Sequence, residues 1–425
     1  MDSSHIYAHI ANQHAQRGPA YHEEDVLLCF GCMLYLKTAG LSLRFSGPRN
    51  FRPPDALACR EEVTQALRQF APSLSNILSA YTPFSPDGQE ERRIWDTAAG
   101  LFQHLEQQGR LASGSDILLS FRELLYALAE SSQQLAEYTP PRDIAVLVSW
   151  LVQSCALPKE EAAILDPSCG TGSLLVHAVQ GASPAKAHVT GFTGNRKIAD
   201  IASVYLALAG KTVDFHIHTG PEKPLPAGAD LVLSLIPFGQ REESRRLQDM
   251  LDAAAPHAAV VAVIPNGVLF RSGRDNAFRK TLLGENLLDT LVYLPEHLLY
   301  TTRIPVSILV LKKNRAAGMP VRMLDLCRGE TSGRKRSQLS RQLLAAAKRD
   351  IFAEAPDWAQ ARLVPNSEIE ENGCVLNRER YFPQVRADSP EGAPQISLEY
   401  IQQLQADLNR IQGRLEDYYR LWDGP

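Results

Sequence analysis

A short stretch at residues 164–174, ILDPSCGTGSL, combines one acidic residue with two closely spaced glycines. An apolar run ends at Asp166, and Gly170 and Gly172 follow with one residue between them. Glycines at this spacing let the backbone turn tightly beneath a ligand at the N-terminus of the next helix. A dinucleotide site would have three glycines in the pattern G-x-G-x-x-G, and the third is missing here. The stretch therefore predicts a small-ligand loop and argues against a dinucleotide-dependent oxidoreductase.

A second stretch at residues 230–239, DLVLSLIPFG, has the apolar pattern of a buried strand that runs into a turn at Pro237. Strands that deliver chemistry usually present a polar atom at this point. This strand instead ends with Leu235 and Ile236, which carry no polar side-chain atom. The end of this strand therefore decides whether the protein is interpreted as an enzyme.

Both stretches belong to a region of short apolar runs that begins near residue 140. The runs are AAILDPSCG, AHVTGFTG, ADLVLSLIP, AAVVAVIP, LDTLVYLP and SILVLKKN, with helical stretches such as RKIADIASVYLALAG between them. Strands that alternate with helices predict an α/β domain with a mostly parallel sheet covered on both faces. Because ligands of such sheets bind at the carboxyl ends of the strands, both stretches are expected to lie at a binding site.

The segments on either side of this region predict different structures. Residues 1–135 show helical periodicity without alternating strands, which predicts an all-helical first domain before an α/β domain at 136–385. Residues 386–425 read as a linker and a C-terminal helix, in which apolar residues step by three and four from Ile401 to Trp422. That spacing is the seam of a coiled coil. The long linker favours a partner helix over packing on the chain's own body.

Composition and cysteine usage limit the class of protein. At 425 residues the chain is too long for one compact core. No apolar run approaches the roughly 20 residues of a membrane span, and the first residues lack the layout of a signal peptide. Seven scattered cysteines indicate free thiols, so we expect a cytoplasmic protein without a membrane segment. Cys29 and Cys32 lie in an apolar helical pattern, which favours packing over a zinc site.

The motifs together resemble those of one protein family. The segment DPSCGTGSLL resembles motif I of the adenine-N6 DNA methyltransferases, and AEYTPPRDIAVLV at 136–148 resembles the Tyr-Thr-Pro element that precedes it. Three later segments resemble successive blocks of the modification subunit of type I restriction-modification systems: HAAVVAVIPNGVLFRSG, LVYLPEHLLYTTRIPVSILVLKKN and LVPNSEIEENGCVLNRERYF. The helical first domain and the terminal helix complete that layout, so the resemblance covers essentially the whole chain.

The resemblance implies a Rossmann-like S-adenosylmethionine-dependent methyltransferase fold and methyl transfer to a flipped adenine. It implies a cofactor site that includes the Tyr-Thr-Pro element, the glycine loop and the end of the second strand. Carried over residue by residue, these are Tyr138, Thr139, Pro140, Asp166, Ser168, Gly170, Gly172 and Thr193. The family has an acidic residue for the cofactor ribose where this chain has Thr193, which supplies no carboxylate. Glu222 is a candidate substitute for another acidic position near the cofactor adenine.

The catalytic motif of the family, Asn-Pro-Pro-Phe or Tyr, falls on the second stretch. The chain has Leu235 and Ile236 at the first two positions and keeps Pro237 and Phe238. In the family the asparagine oxygen and the next carbonyl accept hydrogen bonds from the adenine amino group, and leucine has no such acceptor. We therefore expect methyl transfer to be lost and cofactor binding to be weak or lost. The alternative is an active enzyme with relocated groups, for which Asn266 in IPNGVL is a candidate.

Two basic clusters indicate a DNA-binding role, although the formal net charge is −4. The candidates are Arg271, Arg274, Arg334, Lys335 and Arg336, with Arg279, Lys280 and Arg341 nearby. Each cluster is equally compatible with phosphate contacts or with solvated surface charge. The resemblance further implies double-stranded DNA, a specificity-type subunit bound through the C-terminal helix, and an active methyltransferase relative as partners.

Overall fold

The computed structural model describes most of the chain between residues 23 and 382. The described residues are 23–41, 56–70, 74, 89–210, 212–220, 224–238, 241–328, 331–332, 338–356, 358 and 360–382. The chain divides into one compact unit, Met1–Tyr381, and a second, Phe382–Pro425. The predicted coiled-coil helix lies outside the described residues, as do the DNA-contact candidates Arg334, Lys335 and Arg336. The domain boundaries at residues 135 and 385 stay predictions.

The described residues before the sheet are helical. The first of their helices are α1 (Glu23–Thr38), α2 (Ala56–Phe70), α3 (Gln89–Gln107) and α4 (Gly114–Ser131). No described residue before Glu161 lies in a strand, so the all-helical prediction is confirmed for the described residues. α1 is apolar on nearly all sides and buries Cys29 and Cys32, as predicted for a packing helix. Burial raises the pKa of the Cys32 thiol to about 12, which keeps it neutral.

The remainder alternates strands and helices. The helices are α5 (Gln133–Tyr138), α6 (Arg142–Gln153), α7 (Ser173–Ala182), α8 (Arg196–Leu208), α9 (Glu243–Ala253), α10 (Arg274–Gly284), α11 (Arg341–Phe352), α12 (Asn366–Glu371) and α13 (Arg378–Tyr381). The strands are β1 (Glu161–Asp166), β2 (Lys186–Thr193), β3 (Val213–Thr219), β4 (Ala229–Leu235), β5 (Ala254–Pro265), β6 (Leu288–Tyr293), β7 (Val306–Lys312), β8 (Val321–Asp325), β9 (Thr331–Ser332), β10 (Gln338–Leu339) and β11 (Ala361–Val364). Short 3-10 turns occur at Asn266–Leu269 and Leu326–Arg328.

Nine of these strands form one sheet in the order β11-β8-β6-β7-β5-β4-β1-β2-β3. Pairing is parallel from β3 through β5 and between β6 and β8, whereas β7 runs antiparallel to β5 and β6, and β11 to β8. The predicted mostly parallel sheet is confirmed, and each of the six apolar runs contains a strand. The strand order reverses between β1 and β4, which opens a crevice at their carboxyl ends.

The helical part and the sheet share one hydrophobic core. α1 packs closely on α8 and α4 at Gly31, where an added Cβ would overlap the Val204 side chain of α8 and lie 2.7 Å from a Phe121 ring carbon of α4. At the same interface the Lys197 ammonium of α8 lies 2.9 Å from the largely buried Asp25 carboxylate of α1. The helices therefore form a fixed support behind the sheet. Across the described residues, no helix is both long enough and apolar enough to cross a membrane.

Candidate cofactor and base site

A cleft of about 450 Å³ lies at the carboxyl ends of β1, β2 and β4, where the strand order reverses. It brings together most of the predicted site. Its lining includes Tyr138, Thr139, Pro140, Asp166, Ser168, Gly170, Thr193, Leu235, Pro237 and Phe238. Of the predicted cofactor and catalytic residues, only Gly172 and Ile236 do not line it. We call this cavity the cofactor cleft.

Asp166 ends β1 with its carboxyl group buried against the cofactor cleft. Its Oδ1 accepts a hydrogen bond of 2.9 Å from the Ser168 amide, and its Oδ2 is buried without a partner. Burial disfavours the carboxylate and raises the pKa of Asp166 to about 7. A buried oxygen with no partner at the edge of a cleft fits a ligand that carries a hydrogen-bond donor.

The glycine loop is pinned to the Tyr-Thr-Pro element. Gly170 has φ +51°, and a Cβ there would overlap the carbonyl oxygen of Tyr138. The Thr171 amide donates to that same oxygen at 3.0 Å, and the hydroxyl groups of Thr139 and Thr171 lie 3.2 Å apart. Gly172 is the N-cap residue of α7 and has φ +75°. Both glycines are therefore required by the backbone geometry of the loop.

The end of β2 lacks a charge on the cofactor cleft. Thr193 is buried there, with a hydroxyl where the family has its ribose-binding carboxylate. The side chain of Asn195 caps α8 by accepting hydrogen bonds from the amides of Lys197 and Ile198. The side-chain oxygen of Asn195 is therefore occupied by the N-cap of the helix. Glu222, the candidate substitute for the other acidic position, lies outside the described residues.

The end of β4 presents an apolar side chain to the cleft. Leu235 lines the cavity, and its carbonyl oxygen accepts a 3.3 Å hydrogen bond from the Ser168 hydroxyl. That hydroxyl also lies 2.7 Å from the Ser234 hydroxyl, so the two serines join the ends of β1 and β4. Ile236 is buried, and its amide donates to the Val263 carbonyl at 3.0 Å. The described lining of the cleft contains no asparagine or glutamine side chain.

Asn266, the candidate for a relocated amide, lies in a different cavity. It follows β5 and lines a cleft formed with Tyr293, Asn377 and their neighbours. The two cavities share no described lining residue. Asn266 therefore does not replace the missing acceptor in the cofactor cleft.

Sequence reasoning missed part of the cofactor cleft. Leu299, Tyr300 and Thr301 close one wall of it, after β6. Their signal was present, because they lie within the segment LVYLPEHLLYTTRIP that resembles a later family block. The Ser168 and Ser234 pair was also missed, although Ser234 is the one polar residue between Leu231 and Phe238.

The first basic cluster divides into paired and exposed side chains. Arg271 lies between Glu243 and Asp275, at 2.8 and 2.7 Å, so its charge is already neutralised. Arg279 is buried and donates to the carbonyl groups of Cys374 and Val268 at 2.6 Å, which makes it a structural residue. Arg274 at the start of α10 and the nearby Lys280 are exposed. Phosphate contact by this cluster stays a prediction, and Arg274 is the exposed arginine best placed for it.

The sheet order and the crevice define the class of protein, a Rossmann-like fold of the S-adenosylmethionine-dependent methyltransferases with a helical region before it. The N-6 DNA Methylase family model matches residues 120–251 and 239–389, more than half of the chain. The chain belongs to the N-6 DNA methylase family.

Individual relatives match shorter parts of the sequence. The chain is 38% identical over 124 residues to the type I restriction enzyme MpnII methylase subunit of Mycoplasma pneumoniae, covering 29% of this chain and 22% of that protein. It is 25% identical over 226 residues to the MjaVIII methylase subunit of Methanocaldococcus jannaschii, covering 44% of this chain and 38% of that protein. The chain thus aligns with less than half the length of either curated relative.

Solved structures share the fold at lower sequence identity. One is a type I restriction-modification methyltransferase subunit from Streptococcus thermophilus, with TM-score 0.62, 20% identity and 76% of each chain covered. Another, from a study of complex assembly in a type I restriction-modification system, has TM-score 0.63 and 17% identity, with 99% of this chain and 98% of that chain covered. These matches show that the chain shares its fold with solved proteins of type I restriction-modification systems.

Proposed function

We propose that this chain is a type I modification-subunit-like protein that has lost methyl transfer and acts as a DNA-binding or scaffolding subunit. The observation that carries the proposal is that Leu235, and no amide-bearing residue, lines the described cofactor cleft at the end of β4. Transfer to an adenine amino group needs an acceptor there that orients and polarises the nitrogen. The family asparagine supplies it, whereas leucine supplies none.

The neighbouring backbone supports the same proposal. The family pattern has proline where this chain has Ile236, and the Ile236 amide donates to Val263 of β5. Proline has no amide hydrogen, so the isoleucine adds a hydrogen bond between strands that the family sequence cannot form. At this point the backbone therefore stabilises the pairing of β4 with β5.

S-adenosylmethionine fits the cofactor cleft only in part. Asp166 with its unpartnered Oδ2, and the Gly170 backbone pressed against Tyr138, are suited to hold the methionine end of the cofactor. When bound, the cofactor supplies the methyl sulfonium. Thr193 offers a hydroxyl and no charge to the ribose, and a hydrogen bond to a charged group contributes about 1.5–3 kcal/mol. We therefore propose that cofactor binding is weakened or lost.

The proposed partners follow from the family and from the surface charges. Double-stranded DNA would meet Arg274 on the exposed start of α10, together with Arg334, Lys335 and Arg336 of the second cluster. The heptad seam from Ile401 to Trp422 would join a specificity-type subunit, beside an active methyltransferase relative. In this assembly the chain contributes contacts to DNA and to the other subunits, and the active relative carries out methyl transfer.

An active adenine-N6 methyltransferase is the second candidate, and the intact glycine loop favours it. A cleft that keeps Asp166, Gly170 and the Tyr-Thr-Pro element retains much of what a cofactor needs. The two candidates differ in what they require at Leu235.

Restoring the family residues tests the proposal. The variants are Leu235→Asn with Ile236→Pro, and the same pair with Thr193→Glu. We expect no methyl incorporation into mixed-sequence DNA from the parent or the double variant, and detectable incorporation only from the triple variant, because catalytic groups that act as a unit are regained non-additively. Incorporation by the parent at the level of the triple variant would contradict the proposal.

Calorimetry with S-adenosylmethionine tests the cofactor part separately. The parent chain should bind more weakly than micromolar, and Thr193→Glu alone should tighten binding by roughly tenfold or more. The matched control is Thr193→Val, which removes the hydroxyl and should change little. Micromolar or tighter binding by the parent would contradict the proposal that Thr193 weakens cofactor binding.

A further inference from the structure

A second cleft of about 400 Å³ lies on the carboxyl edge of the sheet and shares no described lining residue with the cofactor cleft. We call it the Asn266 cleft; its lining includes Asn266, Phe270, Tyr293, Asn377, Arg378 and Glu379. It sits beyond the ends of β5 and β6. Ligands of open α/β sheets bind on this edge, so the position favours a binding site.

Asn266 offers a hydrogen-bond donor to the cleft. The Ser307 hydroxyl donates to its Oδ1 at 2.8 Å, which assigns the oxygen to the buried side of the amide. Among the described residues, the Nδ2 group of Asn266 has no hydrogen-bond acceptor. The backbone is also fixed, because the Asn266 amide donates to the Pro305 carbonyl at 3.0 Å. The donor is therefore held in place before a ligand arrives.

Asn377 offers the complementary acceptor. Its Nδ2 donates to Glu379 at 3.1 Å, whereas its Oδ1 is buried and has no hydrogen-bond partner. A buried carbonyl oxygen without a partner costs free energy that a bound donor would recover. Its two asparagines thus give the cleft one free donor and one free acceptor.

The rest of the lining fits an uncharged, flat ligand. The Phe270 ring is 53% exposed at the cleft, and Leu269, Leu294 and Pro305 add apolar surface. Arg378 is held by Asp325 and Glu379, each at 3.3 Å. Since Glu296 also lies on the cleft, carboxylates outnumber the one guanidinium and an anion is disfavoured.

We propose that the Asn266 cleft binds a nucleobase that carries an amino group beside a ring-nitrogen acceptor, as cytosine and adenine do. The base amino group donates to Asn377 Oδ1, the ring nitrogen accepts from Asn266 Nδ2, and the ring stacks on Phe270. Asparagine side chains and exposed aromatic rings recognise bases in this way in other proteins. The site does not depend on methyl transfer and works whether or not the cofactor cleft is active.

Cytidine is the probe that separates this site from the cofactor cleft, since adenosine forms part of the cofactor. Saturation-transfer NMR on the full chain should show cytidine binding with a dissociation constant on the order of millimolar, as expected for one stacked base. Cytidine monophosphate should bind more weakly, because its phosphate adds negative charge near Glu296 and Glu379.

Three variants and one matched control test the assignment. Asn377→Leu and Asn266→Leu should each weaken cytidine binding by roughly two- to tenfold, and Phe270→Ala by roughly fivefold or more. Gln153→Leu removes an exposed amide outside the cleft and should leave binding unchanged. Phe270 is largely exposed, so that variant reports on binding even if an asparagine variant folds poorly.

Either of two results would overturn the proposal. One is the absence of saturation transfer from cytidine to the parent chain at millimolar concentration. The other is equal binding by the parent, Phe270→Ala and the folded asparagine variants, which would place the base elsewhere on the chain.

Discussion

The ends of β1 and β4 lie side by side at the crevice, yet they differ in what they keep. β1 ends in the loop that the family pattern requires: Asp166 accepts from Ser168, and Gly170 fits beneath Tyr138. β4 ends in Leu235 and Ile236, where the family places its catalytic amide and first proline. Backbone geometry is preserved at both ends, and the reactive side chain is absent at one. A single site can therefore keep its backbone geometry and lack a reactive side chain.

The largest effect expected from a single substitution is at the end of β1, which keeps its family residues. Gly170→Ala should lower the free energy of unfolding by about 3 kcal/mol, because its Cβ meets the Tyr138 carbonyl and its φ is positive. Gly194→Ala is the matched control on the same cleft, since a Cβ there meets nothing within 4 Å, and its effect should stay within about 0.5 kcal/mol. Urea denaturation measures both. Equal effects would show that the loop does not require a glycine at position 170.

Asp166 should make stability depend on pH. Its pKa is raised from 3.8 to about 7 in the folded chain, so the folded state binds more protons than the unfolded state between these values. Stability is then lost as the pH rises from 4 to 8, by up to about 4 kcal/mol. Asp166→Asn removes this pH dependence, so its effect on stability should differ by about 4 kcal/mol between the two pH values. We expect a gain of about 2 kcal/mol at pH 8 and a loss of about 2 kcal/mol at pH 4, because the amide leaves part of its own hydrogen bonding unmet.

Thermal unfolding of the parent and of Asp166→Asn at the two pH values checks this prediction. Asp252→Asn is the control, because Asp252 is exposed on α9. A gain that is the same at pH 4 and pH 8 would mean that burial of the carboxylate is not its source.

The smallest expected effect concerns the link between the two strand ends. Ser168→Ala and Ser234→Ala each remove one side of the 2.7 Å hydroxyl pair. A double-mutant cycle should give a coupling of about 1 kcal/mol in the free energy of unfolding, as for one buried hydrogen bond. A coupling near zero would mean that the two ends are stabilised independently.

Much of the fold follows from patterns in the sequence. The runs around Asp166 and Leu235 are short, apolar and bounded by turn residues, so they read as strands. β3, VDFHIHT, was missed because it is an edge strand with polar residues exposed along it. β8 and β11 were missed because they are short and pair with each other near one edge of the sheet.

The candidate site was less predictable, because its chemistry depends on contacts between distant residues. Nothing local to Arg279 indicates that it is buried against carbonyl groups of Val268 and Cys374, so it was grouped with surface charges. The unpartnered oxygen of Asp166 likewise appears only when the surrounding segments are packed. Leu235 was identified because a resemblance defined which residue should stand there.

The most direct test of the account measures methyl transfer by the unaltered chain. The full chain, assembled with its partner subunit, would be incubated with saturating tritiated S-adenosylmethionine and mixed-sequence DNA under single-turnover conditions. We expect incorporation no greater than that of a Phe238→Ala variant, because neither has the acceptor at residue 235 that transfer requires. Robust incorporation by the parent that Phe238→Ala abolishes would show that the end of β4 is a working catalytic site.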